Sequence, residues 1–305
     1  MLTSMLTSVQ LPKRMLTSHD GTKQLDLSRP HVMGILNVTP DSFSDGGQFN
    51  AIDTALRHCE QMLNEGASII DIGGESTRPN DTPVGIDEEL KRVLPVVQAI
   101  RQVFGDEFNK QDIWLSIDTS TPEVIEQSVQ AGADIWNDVR ALSRDGAGEM
   151  AGKLGVPVIL MHNRGEPDTM DDLAVYDDVM SEVKGELQHR IDYALSCGVK
   201  PENIVLDLGF GFAKNHAQHQ VLLKNMGQFL ELGYPMLFGI SRKRYLAEVL
   251  NQSDVRAFAN HAKTDRDPIG MATALLAITQ GTSIIRTHNV GMTMQAVALW
   301  QDLYG

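Results

Sequence analysis

Residues 31–47 read HVMGILNVTPDSFSDGG. The first six residues form an apolar run, which is typical of a buried strand in a parallel sheet. Two folds are built from such strands, an open doubly wound sheet and a closed barrel. A doubly wound sheet commonly carries a GxGxxG turn after its first strand, whereas this strand runs into Asn37-Val38-Thr39-Pro40. The stretch therefore favours the barrel.

The rest of the chain alternates short apolar runs with segments of helical period. The eight predicted strands are 31–36, 67–72, 113–117, 133–136, 156–161, 203–208, 235–240 and 282–286. Predicted helices between them include 51–65, 87–104, 122–131, 176–197, 217–232 and 270–279. Eight such units leave no residues for a second domain, so we predict an α/β fold with a single (β/α)8 TIM barrel, the doubly wound sheet being the less favoured alternative.

The segment before the barrel, residues 16–27, is predicted to form a short N-terminal β-hairpin with its turn at Asp20-Gly21. Upstream of it, the tetrapeptide MLTS occurs at 1–4 and 5–8, with a third copy at 15–18. A repeat this short cannot build a repeat architecture. We expect a flexible tail over residues 1–14 and one barrel domain over residues 15–305.

Composition limits the classes of partner. The chain of 305 residues has 26 basic and 40 acidic side chains and a net charge of −14, which argues against nucleic acid or an anionic membrane as a partner. No run approaches the roughly 20 apolar residues of a membrane span, and the N-terminus lacks the apolar core of a signal peptide. The two cysteines, Cys59 and Cys197, form no CxxC motif. We therefore expect a cytoplasmic protein in a reducing compartment.

Enzymes with this barrel carry their chemistry at the C-terminal ends of the strands. Here the residues that close or follow the predicted strands are almost all polar. They are Asn37, Glu75-Ser76-Thr77-Arg78, Asp118, Asn137-Asp138, His162, Asp207, Ser241-Arg242-Lys243, Arg286 and His288. Any one of them alone is explained as a helix cap or turn former. Polar residues at all eight strand ends favour a site.

These polar residues divide into two chemical groups. Arg78, Lys243, Arg286 and His288 are donors or cations, whereas Asp118, Asn137 and Asp207 offer carboxylate or amide groups. The division predicts a ligand with an anionic end and a neutral, hydrogen-bonding heterocycle. Arg286 and His288 are two positions apart, so both are expected on one side of a strand, where they can share one phosphate. For Arg78 and Arg242, a solvated surface pair is the alternative.

Two loops, residues 39–47 and 73–79, are richer in Gly, Ser, Asp and Pro than a connector requires. Loops of this composition at a barrel mouth can close as lids that exclude water. Phe43 is the aromatic exception in the first loop. It is either a surface residue or a side chain that closes over an aromatic substrate.

Several segments of the sequence resemble the dihydropteroate synthase family, whose members join a pterin to p-aminobenzoate and are inhibited by sulfonamides. Residues 33–47 resemble one signature of that family, and residues 71–79 resemble the other. Further matches, which extend the resemblance over about residues 16–305, are Ser116–Thr119, Asn137-Asp138, Met161-His162, Asp207–Phe212, Ser241–Lys243 and Arg286–His288.

The resemblance implies a pterin-binding barrel domain that condenses 7,8-dihydropterin-6-ylmethyl diphosphate with p-aminobenzoate, using Mg²⁺ as cofactor, and that forms a homodimer. It implies a role for each matching residue. The implied pterin ligands are Asp118, Asn137, Met161, Asp207, Gly239 and Lys243. The implied diphosphate ligands are Asn37, acting through the metal, with Thr77, Arg78, Arg286 and His288. The implied aminobenzoate contacts are Phe43, Pro79, Phe212 and Ser241. The expected catalytic residues are Asp41, Asp118, Lys243 and Arg286.

Three positions depart from the family pattern. Leu208 stands where the family usually has Pro, Ala213 where Gly is usual, and Asn289 where Asp is common. We expect Leu208 and Ala213 to affect the loop beside the aminobenzoate, and Asn289 to affect the support of His288.

Three rival functions are weighed against this resemblance. A methyltetrahydrofolate-binding methyltransferase domain shares the pterin pocket but has no diphosphate to hold, so Arg78, Arg286 and His288 argue against it. A paralogue that binds pterin without condensing it is the second rival. A phosphate-binding isomerase barrel is the third, and it leaves Asp118, Asn137 and Asp207 unexplained.

Overall fold

The structure is a computed structural model, and it describes residues 10–39, 47–75, 84–110, 113–252 and 266–305, with no side-chain description for 47–50 and 106–110. Eight parallel strands hydrogen-bond in chain order, and the last pairs with the first to close a barrel. The strands are β3 (His31–Asn37), β4 (Ile69–Gly73), β5 (Trp114–Asp118), β6 (Ile135–Asp138), β7 (Val158–Met161), β8 (Ile204–Asp207), β9 (Met236–Phe238) and β10 (Thr282–Thr287). The predicted (β/α)8 barrel and its eight strands are confirmed.

Helices pack around the outside of this barrel. In the described residues they are α1 (Gly47–Asn64), α2 (Ile86–Lys110), α3 (Pro122–Gln130), α4 (Ala147–Leu154), α5 (Val179–Ser196), α6 (His216–Asn225), α7 (Arg244–Asn251), α8 (Asp267–Thr279) and α9 (Val290–Tyr304), with short 3-10 helices at Pro201–Asn203 and Met226–Leu232. The predicted helix 217–232 is therefore an α-helix followed by a 3-10 helix. The sequence analysis did not name α4, α7 or α9, and α4 and α7 are only eight residues long.

The interior of the barrel contains a layer of eight buried apolar side chains, one from each strand, which we call the lower layer. Its members are Met33, Ile69, Trp114, Ile135, Ile159, Val205, Leu237 and Ile284. A separate and larger apolar cluster contains most of the other apolar strand residues together with buried apolar residues of the helices. Inward and outward residues alternate along each strand because the side-chain period of a strand is two.

The predicted hairpin is confirmed and closes one end of the barrel. Strands β1 (Met15–Thr17) and β2 (Gln24–Asp26) pair antiparallel, with Leu16 opposite Leu25. These two leucines and Leu27 are buried against the lower layer. The hairpin therefore seals the end of the barrel at which the strands begin.

Residues immediately before the hairpin also contact the barrel. Leu11 is buried in the larger apolar cluster. Arg14 donates from Nη2 to the carbonyl oxygen of Gly233 at 2.5 Å, and its guanidinium lies 5.5 Å from the centre of the Tyr234 ring. In the expected tail of residues 1–14, Leu11 and Arg14 are thus packed in the structure, whereas residues 1–9 lie outside the described ranges.

None of the helices in these ranges is both long enough and apolar enough to cross a membrane.

Candidate active site

Two positions beyond the lower layer, seven of the strands present another side chain to the same side of the sheet, and Gly239 directly after β9 takes the eighth position. We call these eight residues the upper layer. They are Ile35, Asp71, Ser116, Asn137, Met161, Asp207, Gly239 and Arg286. Five of them are predicted ligands, and a sixth, Asp71, belongs to the second signature. The barrel interior therefore changes from apolar to largely polar within two residues.

Arg286 is the centre of the upper layer. From β10 its Nε donates to Asp71 Oδ2 on β4 at 2.6 Å, and its Nη2 donates to Asp118 Oδ2 at the end of β5, also at 2.6 Å. Asn137 Nδ2 on β6 donates to the same Asp71 oxygen at 3.1 Å. One guanidinium thus joins Asp118, a predicted pterin ligand at the end of β5, to Asp71 on β4.

Burial and charge shift the pKa values of this cluster in different directions. Burial raises the pKa of Asp118 to about 7, against the opposing charge of Arg286. Burial also raises the pKa of Asp207, against the opposing charge of Lys243. Burial lowers the pKa of Lys243 to about 8. For Arg286, burial favours loss of the proton, but Asp71 and Asp118 outweigh it and raise the pKa. Carboxyl groups of this kind are ready to gain or share a proton with a bound heterocycle.

The residues four positions beyond the lower layer lie at the C-terminal ends of the strands, and we call them the rim. There the structure brings together Asn37 on β3, Asp118 on β5, and Ser241 with His288 after β9 and β10. The register pairs Asn37 with Gly73 and Gly73 with Asp118. Ser241 Oγ lies 3.0 Å from His288 Nδ1 and accepts from the His288 backbone N–H at 3.2 Å.

Lys243 and Phe212 approach the same cavity from loops. Lys243 Nζ donates to the carbonyl oxygen of Phe210 and lies 4.6 Å from the centre of the Phe212 ring. Phe212 packs with Met161 in a small apolar cluster. Asp207 Oδ1 accepts from the backbone N–H of Gly209 at 2.8 Å, so the loop after β8 begins at a site residue.

Gly239 lies next to Arg286 on the neighbouring strand. A Cβ at Gly239 would lie 3.7 Å from Arg286 Cβ and 3.8 Å from its Cδ. A Cβ at this position would therefore make ordinary van der Waals contact with the arginine.

Some polar residues at the strand ends face away from the site. His162 follows the inward Met161 and contacts Glu186 and Lys214. Asp138 follows the inward Asn137, and its carboxylate accepts from the backbone N–H groups of Arg140 and Leu142. Alternation along a strand explains both, because adjacent side chains point to opposite sides.

Five predicted site residues lie outside the described ranges, namely Asp41, Phe43, Thr77, Arg78 and Pro79. Within the described ranges, no group of three or more His, Cys, Asp or Glu side chains is arranged to hold a metal ion.

The model of the family described as "Pterin binding enzyme" matches residues 33–288. The chain belongs to this family. A dihydropteroate synthase from Haemophilus influenzae is 45% identical over 282 residues, which are 92% of this chain and 96% of that protein. Two solved structures cover 95% of this chain and 98% of theirs, each with a TM-score of 0.84. They are a Yersinia pestis dihydropteroate synthase with a sulfonamide drug complex, at 44% identity, and a Xanthomonas albilineans dihydropteroate synthase with 4-aminobenzoic acid, at 40% identity.

The three departures from the pterin binding pattern have distinct structural settings. Leu208 is buried directly after β8. Ala213 adopts a φ of +43°, in the left-handed region that favours glycine. Asn289 caps α9 by accepting from the backbone N–H of Met292 at 3.0 Å, and it donates to Asp267 at 3.1 Å. Asn289 therefore orders the start of α9.

Arg242 also supports the rim in this pterin binding barrel. Its guanidinium donates to both oxygens of Asp267, each at 2.8 Å. Because Asp267 also accepts from Asn289, these three residues form one network behind Ser241 and His288. Arg242 thus forms an ion pair in which its own side chain is 26% exposed and that of Asp267 is 6% exposed.

Sequence reasoning missed Asp71 as a site residue. It searched the residues that close or follow each strand, whereas Asp71 lies in the middle of β4 and is completely buried. A usable signal was present, because a carboxylate inside the apolar run Ile69-Ile70-Asp71-Ile72 requires a cationic partner. That partner is Arg286.

Proposed function

We propose that the upper layer and rim condense 7,8-dihydropterin-6-ylmethyl diphosphate with p-aminobenzoate, the reaction of a dihydropteroate synthase. The observation that carries this proposal is the position of Arg286, which lies between the carboxylates of Asp71 and Asp118 in the barrel interior. The site thereby offers a buried polar surface for a heterocycle beside cationic groups for an anion.

The pterin is assigned to the carboxylate and amide groups. Asp207, Asp118 and Asn137 can accept or donate the several hydrogen bonds of its pyrimidine edge, and Met161 supplies an apolar surface for the ring. Lys243 Nζ, which donates to the Phe210 carbonyl in this structure, is assigned to the ring oxygen and nitrogen of the pterin. A purely apolar pocket would leave these groups unpaired, at a cost of about 1–3 kcal/mol each.

The diphosphate is assigned to the rim. His288 provides a donor at the rim and Arg286 provides donors from the upper layer beneath it, together with Thr77 and Arg78 of the sequence prediction. Asn37 Oδ1 is an oxygen donor of the kind that Mg²⁺ accepts, and Mg²⁺ usually takes one or two protein ligands with substrate phosphates and water. The residues of the rim therefore fit a magnesium ion that arrives with the diphosphate. When bound, such an ion stabilises the charge that develops on the leaving group.

The chemical step is a substitution at the methylene carbon of the pterin. The carbon–oxygen bond to diphosphate breaks, and its electron pair leaves with the diphosphate oxygen. The amino nitrogen of p-aminobenzoate donates its lone pair to form the carbon–nitrogen bond, and it then loses a proton to solvent or to the leaving diphosphate. The protein's contribution is to hold both substrates, stabilise the departing anion and exclude water.

Homodimer formation is a further part of the proposal. Helices α8 and α9 pack against each other and carry three leucines that are half exposed, Leu276, Leu299 and Leu303. Leu299 and Leu303 are one helical turn apart and so lie on one face. Exposed apolar residues on neighbouring helices favour a subunit interface. Sedimentation of the wild type and of Leu303→Glu tests this, with a dimer expected only for the wild type.

A cytoplasmic location also remains part of the proposal. Cys59 and Cys197 are both free thiols, as expected in a reducing compartment.

Turnover of the purified protein tests the main proposal. Incubation with Mg²⁺, p-aminobenzoate and the pterin diphosphate should give dihydropteroate and diphosphate in equal amounts, with inhibition by a sulfonamide. Folded protein that binds the pterin but forms no product would contradict the proposal. Equal affinity for the diphosphate ester and for the bare hydroxymethyl pterin would favour the methyltransferase-like alternative.

A further inference from the structure

Lys214 is a buried lysine that lies outside the assigned substrate contacts. Only 2% of its surface is exposed. Its Nζ lies 2.9 Å from His162 Nδ1 and donates to the carbonyl oxygens of Gly209 at 3.1 Å and Phe212 at 3.0 Å. These three partners match the three donors of an ammonium group. Lysine is almost never buried this fully without such partners.

Lys214 is the first member of a chain of side-chain contacts that continues through His162, Glu186 and Arg164 to Tyr176. His162 Nε2 lies 2.9 Å from Glu186 Oε2, and Glu186 Oε1 accepts from Arg164 Nε at 3.0 Å. The Arg164 guanidinium lies 3.8 Å from the centre of the Tyr176 ring. Burial lowers the pKa of His162 to about 4, which leaves the ring neutral, with Nδ1 accepting from Lys214 and Nε2–H donating to Glu186.

The last member of this chain, Tyr176, contacts the residue that directly precedes Lys214. The hydroxyl of Tyr176 donates to the carbonyl oxygen of Ala213 at 2.9 Å, and Ala213 is bonded to Lys214. We call residues 209–213 the β8 loop. Lys214 and Tyr176, whose side chains lie outside the substrate cavity, therefore bind the carbonyl groups of Gly209, Phe212 and Ala213 in this loop.

One residue of the β8 loop has an unfavourable backbone conformation, and two glycines supply the other left-handed positions. Gly209, Gly211 and Ala213 all have positive φ values, +68°, +84° and +43°. Left-handed backbone costs about 1 kcal/mol or more for a residue other than glycine. A Cβ at Gly209 would also lie 1.9 Å from the carbonyl oxygen of His162. Ala213 therefore adopts its conformation against a local backbone cost, and the hydrogen bonds from Tyr176 and Lys214 stabilise the loop against that cost.

The β8 loop forms one side of the site. Phe212 lies 4.6 Å from Lys243 Nζ, and the carbonyl oxygen of Phe210 accepts from that nitrogen. A Cβ at Gly211 would lie 2.6 Å from Lys243 Cδ, so the loop packs directly on the lysine stem. Displacement of the loop would therefore move the Phe212 ring more than it moves the site residues that lie on the strands.

We propose that Lys214 is a positioning residue, which holds the β8 loop through the carbonyls of Gly209 and Phe212 and thereby sets the affinity for p-aminobenzoate without touching substrate. The inference rests on the proposed function for the identity of this substrate. The pterin ligands Asn137 and Asp207 lie on strands β6 and β8, whose backbone is fixed by sheet hydrogen bonds. Of the pterin ligands, Asp207 and Lys243 contact the β8 loop at Gly209 and Phe210, so the affinity for pterin should depend on Lys214 less than the affinity for p-aminobenzoate does.

Three variants test this inference. Lys214→Met removes the ammonium, Tyr176→Phe removes only the hydroxyl that donates to Ala213, and Lys224→Met on the exposed side of α6 is the matched control. For Lys214→Met we expect KM for p-aminobenzoate to rise about tenfold or more, as for the loss of a charge-assisted hydrogen bond. For Tyr176→Phe we expect a smaller rise of about threefold. In both variants the Kd for the pterin should rise by a smaller factor than the KM for p-aminobenzoate, whereas a general loss of structure would raise both alike.

Hydrogen exchange provides a measurement that does not depend on turnover. The amides of residues 209–213 should exchange faster in Lys214→Met and in Tyr176→Phe than in the wild type or Lys224→Met. Parallel losses of aminobenzoate and pterin affinity, or unchanged exchange in both variants, would overturn the inference. A wild type that makes no dihydropteroate but shows the expected exchange difference would instead contradict the proposed function alone.

Discussion

The two layers inside the barrel are built on the same strands, yet they have opposite chemistry. Ile69 and Asp71 are two positions apart on β4, and Ile284 and Arg286 are two positions apart on β10. The lower layer is apolar and is closed by the hairpin. The upper layer carries the buried ion pair of Asp71 with Arg286. Stability and function are therefore separated along each strand by about 7 Å, the length of two residues.

The largest expected effect comes from Arg286→Ala. The variant leaves the carboxylates of Asp71 and Asp118 buried without their cation, so the free energy of unfolding should fall by about 3–5 kcal/mol. Turnover should be abolished. Combining Arg286→Met with Asp71→Asn should restore much of the stability, measured by urea unfolding, but none of the activity. Recovery of activity in the double variant would show that the ion pair serves only the fold.

A lower-layer substitution should have the converse effect. Ile284→Ala removes a fully buried side chain, so the free energy of unfolding should fall by about 2–4 kcal/mol. At a temperature well below its melting point, the variant should keep the KM values of the wild type. A raised KM for the pterin diphosphate, measured by initial rates, would mean that the two layers are not separable.

Much of this division was predictable from the sequence. Each strand appears as an apolar run, and the barrel rule directed the search to the ends of the runs, which found Asn137, Asp207 and Arg286. The search by strand end could not find Asp71, because a residue's layer depends on its register within the strand. Counting two and four positions from the lower layer recovers Asp71 and also separates the inward Met161 from the outward His162.

Other features could not be predicted because they depend on contacts between distant segments. Lys214 reads as an ordinary polar residue before a helix, and only the fold places it against His162, 52 residues earlier. Leu11 lies in a segment without apolar periodicity, so its burial depends on the barrel surface against which it packs.

Truncation tests the packing of the N-terminal segment. A chain that begins at Met15 loses the buried Leu11 and the hydrogen bond from Arg14 to Gly233, so it should be about 2 kcal/mol less stable. A chain that begins at Gln10 keeps both contacts and should match the full-length protein in melting temperature. If the two truncated chains had the same melting temperature, residues 10–14 would contribute nothing to the stability of the barrel.

The smallest expected effect is a gain in stability from Ala213→Gly. Glycine relieves the left-handed backbone at this position, with φ of +43°, but it adds entropy to the unfolded chain. The net gain should be about 0.5–1 kcal/mol in urea unfolding, with the β8 loop otherwise unchanged. Destabilisation by glycine would show that the alanine side chain contributes more by packing than the backbone costs.

The central claim is that the upper layer holds the pterin and the lower layer does not. Asp207 and Val205 test it most directly, because they are two positions apart on β8 and belong to different layers. In calorimetric titrations with the pterin diphosphate, Asp207→Asn should weaken binding by about ten- to a hundredfold, as expected for a lost charge-assisted hydrogen bond. Val205→Ala should bind like the wild type, although it is less stable. Equal affinities for the two variants, or a larger loss for Val205→Ala, would contradict the account.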